Sequence, residues 1–183
     1  LGEIARAART SSQDAFARAV EMRRMACDRA RNDVRHVRGL AAALVKQGDA
    51  ALEVSENATA RAAFNESAVI RVKLMEKAPS DRVATHALAV ALERLGLAAK
   101  AMGDLTAARA AWEDELALAF RLFETGDLEG MRFCAIVESH LASAGGPGAE
   151  AHRNAALQRF DVLARSGALT EREAAVRKKL WGA

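Results

Sequence analysis

The sequence predicts an all-α protein built from stacked antiparallel helix pairs, and three observations carry that prediction. Four aromatic residues, Phe16, Phe64, Trp112 and Phe160, follow one another at intervals of 48 positions. Apolar residues recur every three or four positions, which is the spacing of one helix face. Alanine is abundant and proline occurs only twice, and Ala is the best helix former. A fixed period of this length indicates a repeat architecture.

Further columns of apolar residues keep the same register, so the period does not depend on one chance match. They are Val20, Ala68, Leu116 and Ala164; Met22, Ile70 and Leu118; Cys27, Met75 and Phe123; and Leu40, Leu88 and Ile136. One helix pair cannot bury its apolar face alone, so neighbouring pairs must stack. These columns therefore predict the stacking surface, and Cys27 is predicted to be a small core residue.

Helix breakers divide each repeat into two helices. Gly103 can end a helix in a left-handed conformation and Asp104 can cap the next one. Pro79 cannot continue a helix, and either Ser80 or Asp81 can start the one that follows. Thr170 and Glu173 have the spacing of a capping box. The predicted helices cover about 1–9, 12–31, 33–54, 57–77, 82–102, 104–125, 129–144, 149–166 and 171–181.

The predicted organisation is a single repeat domain over residues 1–183. Its units are a partial one at about 1–32, then 33–80, 81–128 and 129–167, followed by a capping helix at 170–181. The chain begins at Leu1 rather than Met, and we expect it to be a fragment of a larger protein.

The third unit has Leu92, Leu95 and Gly96 in its first helix and Ala108 and Trp112 in its second. At these positions it resembles the tetratricopeptide repeat, whose pattern has a large apolar residue and Leu-Gly in the first helix and a small residue and an aromatic in the second. The second unit is similar through Leu44, Gly48, Ala60 and Phe64. The period departs from the family's 34 residues by 14, about four helical turns. The chain thus looks like a long-helix variant of the kind found in bacterial arrays.

The resemblance implies a right-handed superhelical stack, an α-solenoid, whose inner groove is lined by the first helix of each pair. Side chains one helix face away from the core stripe should then line that groove. The residues predicted to bind a partner there are Arg38, Val45, Asp49, His86, Val90, Glu93, Leu97, Lys100, Glu138 and Leu141. Aliphatic positions flanked by charges suit a docked peptide or helix. The predicted function is a scaffold or sensor module that binds a protein or peptide, with homo-oligomerisation as a subsidiary possibility.

An enzyme is disfavoured, because no nucleophile, base and orienting group converge at a recognisable spacing. We predict no catalytic residues, no metal site and no cofactor. The four histidines lack metal-site spacing, and Cys134, which we expect near the groove, is the better candidate for a reactive thiol. The loop at 145–148 lacks the lysine of a phosphate-binding loop.

Nucleic-acid binding is the alternative function. Residues 1–38 carry nine arginines and five acids, whereas residues 101–130 carry two arginines and seven acids. The basic region comprises Arg18, Arg23, Arg24, Arg29, Arg31, Arg35 and Arg38. The basic residues do not continue along the chain as phosphate tracking requires, and aromatic interleaving is missing. No apolar run reaches the length of a membrane span, and we expect a cytoplasmic location.

Overall fold

The computed structural model describes residues 2–30, 33–123 and 128–182, and the regular structure in these ranges is entirely α-helical. In chain order the helices are α1 (Gly2–Arg29), α2 (Val34–Glu53), α3 (Asn57–Lys77), α4 (Arg82–Ala101), α5 (Leu105–Phe123), α6 (Leu128–Ala144), α7 (Ala149–Arg165) and α8 (Glu171–Trp181). The all-α prediction is confirmed for the described residues. From α2 onward, each helix begins and ends within two residues of its predicted bounds.

The helices form two compact units, Leu1–Asp104 and Leu105–Ala183. In the first unit each of the four helices packs against the next one, and α2 also contacts α4. In the second unit α5, α6 and α7 pack in succession, and α8 packs on α7 and α6. Consecutive helices therefore pack within each unit, as the repeat predicts.

The first helix departs from the prediction. Two helices were expected, with a break near residues 10–11, but α1 is continuous from Gly2 to Arg29. The expected break was placed by extending the 48-residue register to a region with no glycine or proline at the turn. Thr10, Ser11 and Ser12 are tolerated inside a helix, so nothing in the local sequence forces the chain to turn there.

The predicted helix end at Gly103 and the predicted caps of α4 and α8 lie where the sequence placed them. Gly103 has a φ of +78° and follows α4, as expected for a left-handed helix end. Asp81 caps α4, since its carboxylate accepts hydrogen bonds from the backbone N–H groups of Val83 and Ala84. Thr170 and Glu173 form the complete capping box at the start of α8.

The aromatic column forms the centre of the packing in most, but not all, of its positions. Phe64, Trp112 and Phe160 are fully buried, whereas Phe16 is only partly buried. In the first unit Phe64 packs with Val45, Ala51, Ala60 and Ala98. The neighbouring column is less uniform, because Met22 on α1 is 71% exposed. The end of the column on α1 lies at the margin of the first unit and has fewer helices to cover it.

Two other core predictions are confirmed. Cys27 is buried in a cluster with Val20, Leu40, Leu44 and Ala63. The final helix α8 covers the apolar face of its unit: Leu180 is buried in a cluster with Ala135, Ala156, Phe160 and Leu163.

Candidate functional site

Seven of the eight predicted binding residues of the first unit are accessible and lie on α2 and α4, on a surface that we call the α2–α4 face. Arg38 and Lys100 are exposed there, and the others are partly exposed. The partly exposed residues are Asp49 on α2 and His86, Val90, Glu93 and Leu97 on α4. These seven side chains are accessible to a partner.

Ion pairs tie α2 to the start and the middle of α4. The guanidinium of Arg38 donates to the carboxylate of Asp81 at 2.8 Å. The Nε of Arg94 lies 3.3 Å from Asp49 Oδ1. The backbone N–H of Ala84, helped by that of Val83 and by Arg38, holds the pKa of Asp81 below its ordinary value. Since these groups are at least partly exposed, the pairs contribute mainly to orientation rather than to stability.

Val45 was wrongly assigned to an open surface. It is only 9% exposed and packs against Phe64 and Ala98. Helix α2 contacts α1, α3 and α4, so its buried arc is wider than one stripe. That arc includes Val45, which was expected to face solvent.

Glu138, Leu141 and Cys134 on α6 are also buried rather than groove-facing. Leu141 and Cys134 have no exposed surface and Glu138 is 3% exposed. The reason is that α6 packs against α5, α7 and α8, which leaves little of its circumference open. The predicted groove therefore does not continue onto α6 through these residues.

Glu138 instead forms a buried ion pair with α7. Arg159 Nη1 donates to Glu138 Oε2 at 2.6 Å, and the Arg159 guanidinium lies 5.5 Å from the centre of the Phe120 ring. Burial raises the pKa of Glu138 to about 7, and Arg159 opposes that rise. Burial likewise raises the pKa of the Cys134 thiol to about 11. A thiol that stays protonated is a poor nucleophile, so the prediction of Cys134 as the more reactive cysteine is wrong.

A cavity of about 170 Å³ lies among α2, α3 and α4. Its lining combines two arginines with small and aliphatic side chains: Arg38, Ala41, Ala42, Arg71, Leu74, Val83, Ala84 and Ala87. Arg38 is exposed, so the cavity meets the surface at the α2–α4 face. Only Arg38 of these eight was among the predicted binding residues.

Arg71 and Leu74 were missed because α3 was treated only as the outer helix of its pair. The sequence did contain a signal. Ala60, Phe64, Ser67, Arg71 and Leu74 follow at intervals of three and four residues along α3. A serine and an arginine therefore interrupt a stripe that is otherwise apolar, and polar groups on a buried stripe require partners.

Ser67 and Arg71 are connected to each other and to α2. Ser67 is fully buried, and its hydroxyl donates to the backbone oxygen of Ala41 at 2.9 Å. It accepts a hydrogen bond of 3.1 Å from Arg71 Nε. Burial lowers the pKa of the Arg71 guanidinium from its ordinary value, since desolvation disfavours the charged form.

The basic region near the N-terminus is partly neutralised by neighbouring carboxylates. Arg24 pairs with Glu21 at 2.8 Å and with Glu66 at 2.6 Å, and Arg35 pairs with Asp33 at 2.9 Å. Arg31 lies outside the described residues. A larger open cavity of about 700 Å³ lies beside this region between α1 and α3, where Met22 and Met25 are exposed. These pairs leave fewer free cations for a nucleic-acid backbone.

The acidic run, the glycine loop and one of the histidines each take part in contacts within the second unit. In the acidic run at 113–115, Glu115 is fully buried. Arg109 donates to the backbone oxygens of Gly145 and Pro147 and so holds the glycine loop. His140 stacks on Trp112 with ring centres 5.1 Å apart. Across the described residues, no three His, Cys, Asp or Glu side chains gather as a metal site would require.

Within the ranges that the structure describes, none of the helices combines the length and apolar character needed to span a membrane. Comparison of the chain with protein-family models, with curated proteins and with solved structures gives no match.

Proposed function

We propose that the chain is a protein-interaction module that binds a peptide or protein partner on the α2–α4 face. The observation that carries the proposal is the cavity among α2, α3 and α4, which joins an accessible face. Concave apolar sites with a few placed polar groups are the usual form of a binding site. The chain would act by presenting this surface, and a scaffold or sensor role follows from that.

The apolar surface extends from the cavity along α4. Val83 and Ala87 line the cavity, and Val90 and Leu97 continue the same stripe, three residues after Ala87 and then seven residues, about two helical turns, further on. Both are partly exposed, and the neighbouring Glu93 and Lys100 carry opposite charges. Apolar anchors flanked by charges suit an amphipathic helix or an extended peptide, with the charges setting its register.

The tetratricopeptide resemblance is part of this proposal. The apolar columns at 48-residue intervals and the packing of consecutive helices within each unit support it. We infer a right-handed superhelical stack, a bacterial source and a cytoplasmic location from the resemblance and from the composition. Function does not follow from fold alone, so the binding surface needs its own test.

The test is a selection of binding peptides from a displayed library, followed by affinity measurements on purified variants. The V90E/L97E variant places two carboxylates on the proposed surface. The matched control V69E/V72E places two carboxylates on α3, where both valines are exposed. We expect the first variant to weaken the selected peptides at least tenfold and the control to bind as the wild type does.

Circular dichroism of both variants separates binding from folding. Retained helicity with lost binding supports the proposal, whereas loss of helicity in V90E/L97E would place these side chains in the core. Equal binding by V90E/L97E and the wild type would refute the α2–α4 face as the site. A selection that yields no saturable peptide would refute the peptide-binding function.

A further inference from the structure

Arg71 is held in place but its charge is not matched by a carboxylate. Its Nε donates to Ser67 Oγ at 3.1 Å, and desolvation is the cause of its lowered pKa, with no contribution from a neighbouring acid. Among the described residues no carboxylate forms an ion pair with it. An arginine has five N–H donors, so most of its hydrogen-bonding capacity remains available at the cavity.

Asp81, an acid beside the cavity, already accepts three hydrogen bonds. Asp81 Oδ1 accepts the backbone N–H groups of Val83 and Ala84, at 2.9 and 3.1 Å. Asp81 Oδ2 accepts from Arg38 at 2.8 Å. The charges of Arg38 and Asp81 therefore cancel, and the guanidinium of Arg71 is the positive charge at the cavity that remains uncompensated.

The size and lining of the cavity restrict what could supply the missing charge. About 170 Å³ is the space of roughly five or six water molecules at about 30 Å³ each. Its other walls are aliphatic: Ala41, Ala42, Leu74, Val83, Ala84 and Ala87. A single positive charge matches a monoanion, and aliphatic walls match a short hydrocarbon body.

We propose that this cavity binds a short aliphatic carboxylate, with the carboxylate on the Arg71 guanidinium and the hydrocarbon against the walls from α2, α3 and α4. Planar guanidinium and carboxylate groups form paired hydrogen bonds. The same chemistry is supplied by a free acid of about six heavy atoms or by the C-terminal residue of a peptide. The peptide source deepens the function proposed above and rests on it, whereas the free acid does not.

A phosphate group fits this cavity less well. At neutral pH a phosphate monoester carries between one and two negative charges, and the second cation at the cavity, Arg38, is committed to Asp81. A phosphate would also leave the aliphatic walls without an apolar partner.

The experiment is a titration of the full chain followed by the backbone amide signals of Ala41, Ala42, Ala84 and Ala87. The probes are sodium butyrate, its neutral isostere butanamide, and the peptide acetyl-Gly-Gly-Val with either a free or an amidated C-terminus. The variant R71M removes the guanidinium and keeps an unbranched side chain. The control R61M removes another arginine of α3, which pairs with Asp104 at 3.1 Å and does not line the cavity.

We expect butyrate to shift these signals saturably and butanamide to leave them unchanged. R71M should bind butyrate at least about tenfold more weakly, since a charge-assisted hydrogen bond is lost, and R61M should bind within twofold of the wild type. If R71M fails to fold, A87L offers a second test. It fills the cavity and keeps the guanidinium, and it should also abolish binding.

The peptide arm identifies the source of the carboxylate. Tighter binding of the free-acid peptide than of butyrate assigns the cavity to a chain end, and the reverse order assigns it to a free acid. The inference is overturned if butyrate does not saturate, if butanamide binds equally, or if R71M binds butyrate like the wild type. Selected peptides that need Val90 and Leu97 but not Arg71 would leave the proposed function standing and would exclude a peptide end as the source of the carboxylate; if butyrate also fails to saturate, this inference alone is refuted.

Discussion

Replacing Gly48 with alanine should destabilise the first unit by about 2 kcal/mol. An ideal Cβ at Gly48 would lie 2.6 Å from Cζ and 2.8 Å from Cδ1 of Phe64, well inside the ordinary carbon–carbon separation of about 3.5–4.0 Å. Phe64 is fully buried and cannot swing into solvent. Overpacking of this kind costs about 1–3 kcal/mol. Taking the upper value and subtracting the helix-propensity gain of about 1 kcal/mol for Gly to Ala gives the estimate.

Gly39 on the same helix provides the matched control. Its added Cβ would meet Arg23 Nη1 at 2.6 Å, but that atom ends a flexible side chain that can move away. G39A should therefore stabilise the chain by up to about 1 kcal/mol. Urea denaturation followed by circular dichroism measures both changes, and the F64L background should remove most of the penalty of G48A. A G48A variant at least as stable as the wild type would refute the close packing of α2 on α3.

Two further predictions concern the second unit. The pKa of Glu138 in the folded chain is raised to about 7 from an ordinary value of 4.5. Its contribution to the free energy of unfolding is therefore complete below pH 4.5 and is lost as the pH rises towards 7. E138Q should remove this decline in stability between pH 4.5 and 7, and an unchanged decline would contradict the raised pKa of Glu138. Cys134, with a thiol pKa of about 11, should react with iodoacetamide at pH 8 roughly a hundredfold more slowly in the folded chain than in the unfolded chain. Mass spectrometry of the labelled protein checks this, and rapid labelling without unfolding would show that the thiol is accessible.

The helices could be predicted because their ends are set by local chemistry. Pro79 and Gly103 act within one turn of the chain, and the carboxylate of Asp81 caps the two backbone donors that follow it. The continuity of α1 through residues 10–11 could not be predicted in the same way. The break expected near residues 10–11 was placed only by extending the 48-residue period from the later units. That period does not make the chain turn where no residue breaks the helix.

The candidate site was harder to predict, because the burial of a side chain depends on how many neighbouring helices pack against the helix that carries it. Val45 and Leu141 occupy similar positions beside the core stripe, and a sequence pattern cannot tell which neighbours cover them. Their burial follows from the contacts of α2 with three helices and of α6 with three helices. Val90 and Leu97 on α4 are predicted correctly as accessible side chains, and their role in binding stays a prediction.

The arginines of α2, α3 and α4 differ in a way that bears on both proposals. Arg38, Arg61 and Arg94 each lie within 3.3 Å of a carboxylate, that of Asp81, Asp104 and Asp49 respectively. Arg71 is more deeply buried than a surface arginine and has no such partner among the described residues. An unmatched charge in a partly desolvated position costs free energy of folding. On the ground of stability alone, an uncharged side chain such as Met could therefore replace Arg71 without loss. If the R71M variant is as stable as the wild type or more stable, the guanidinium is not retained for folding, and its place at the cavity is better explained by a ligand. If R71M is strongly destabilised, the hydrogen bond to Ser67 would account for Arg71 without any ligand.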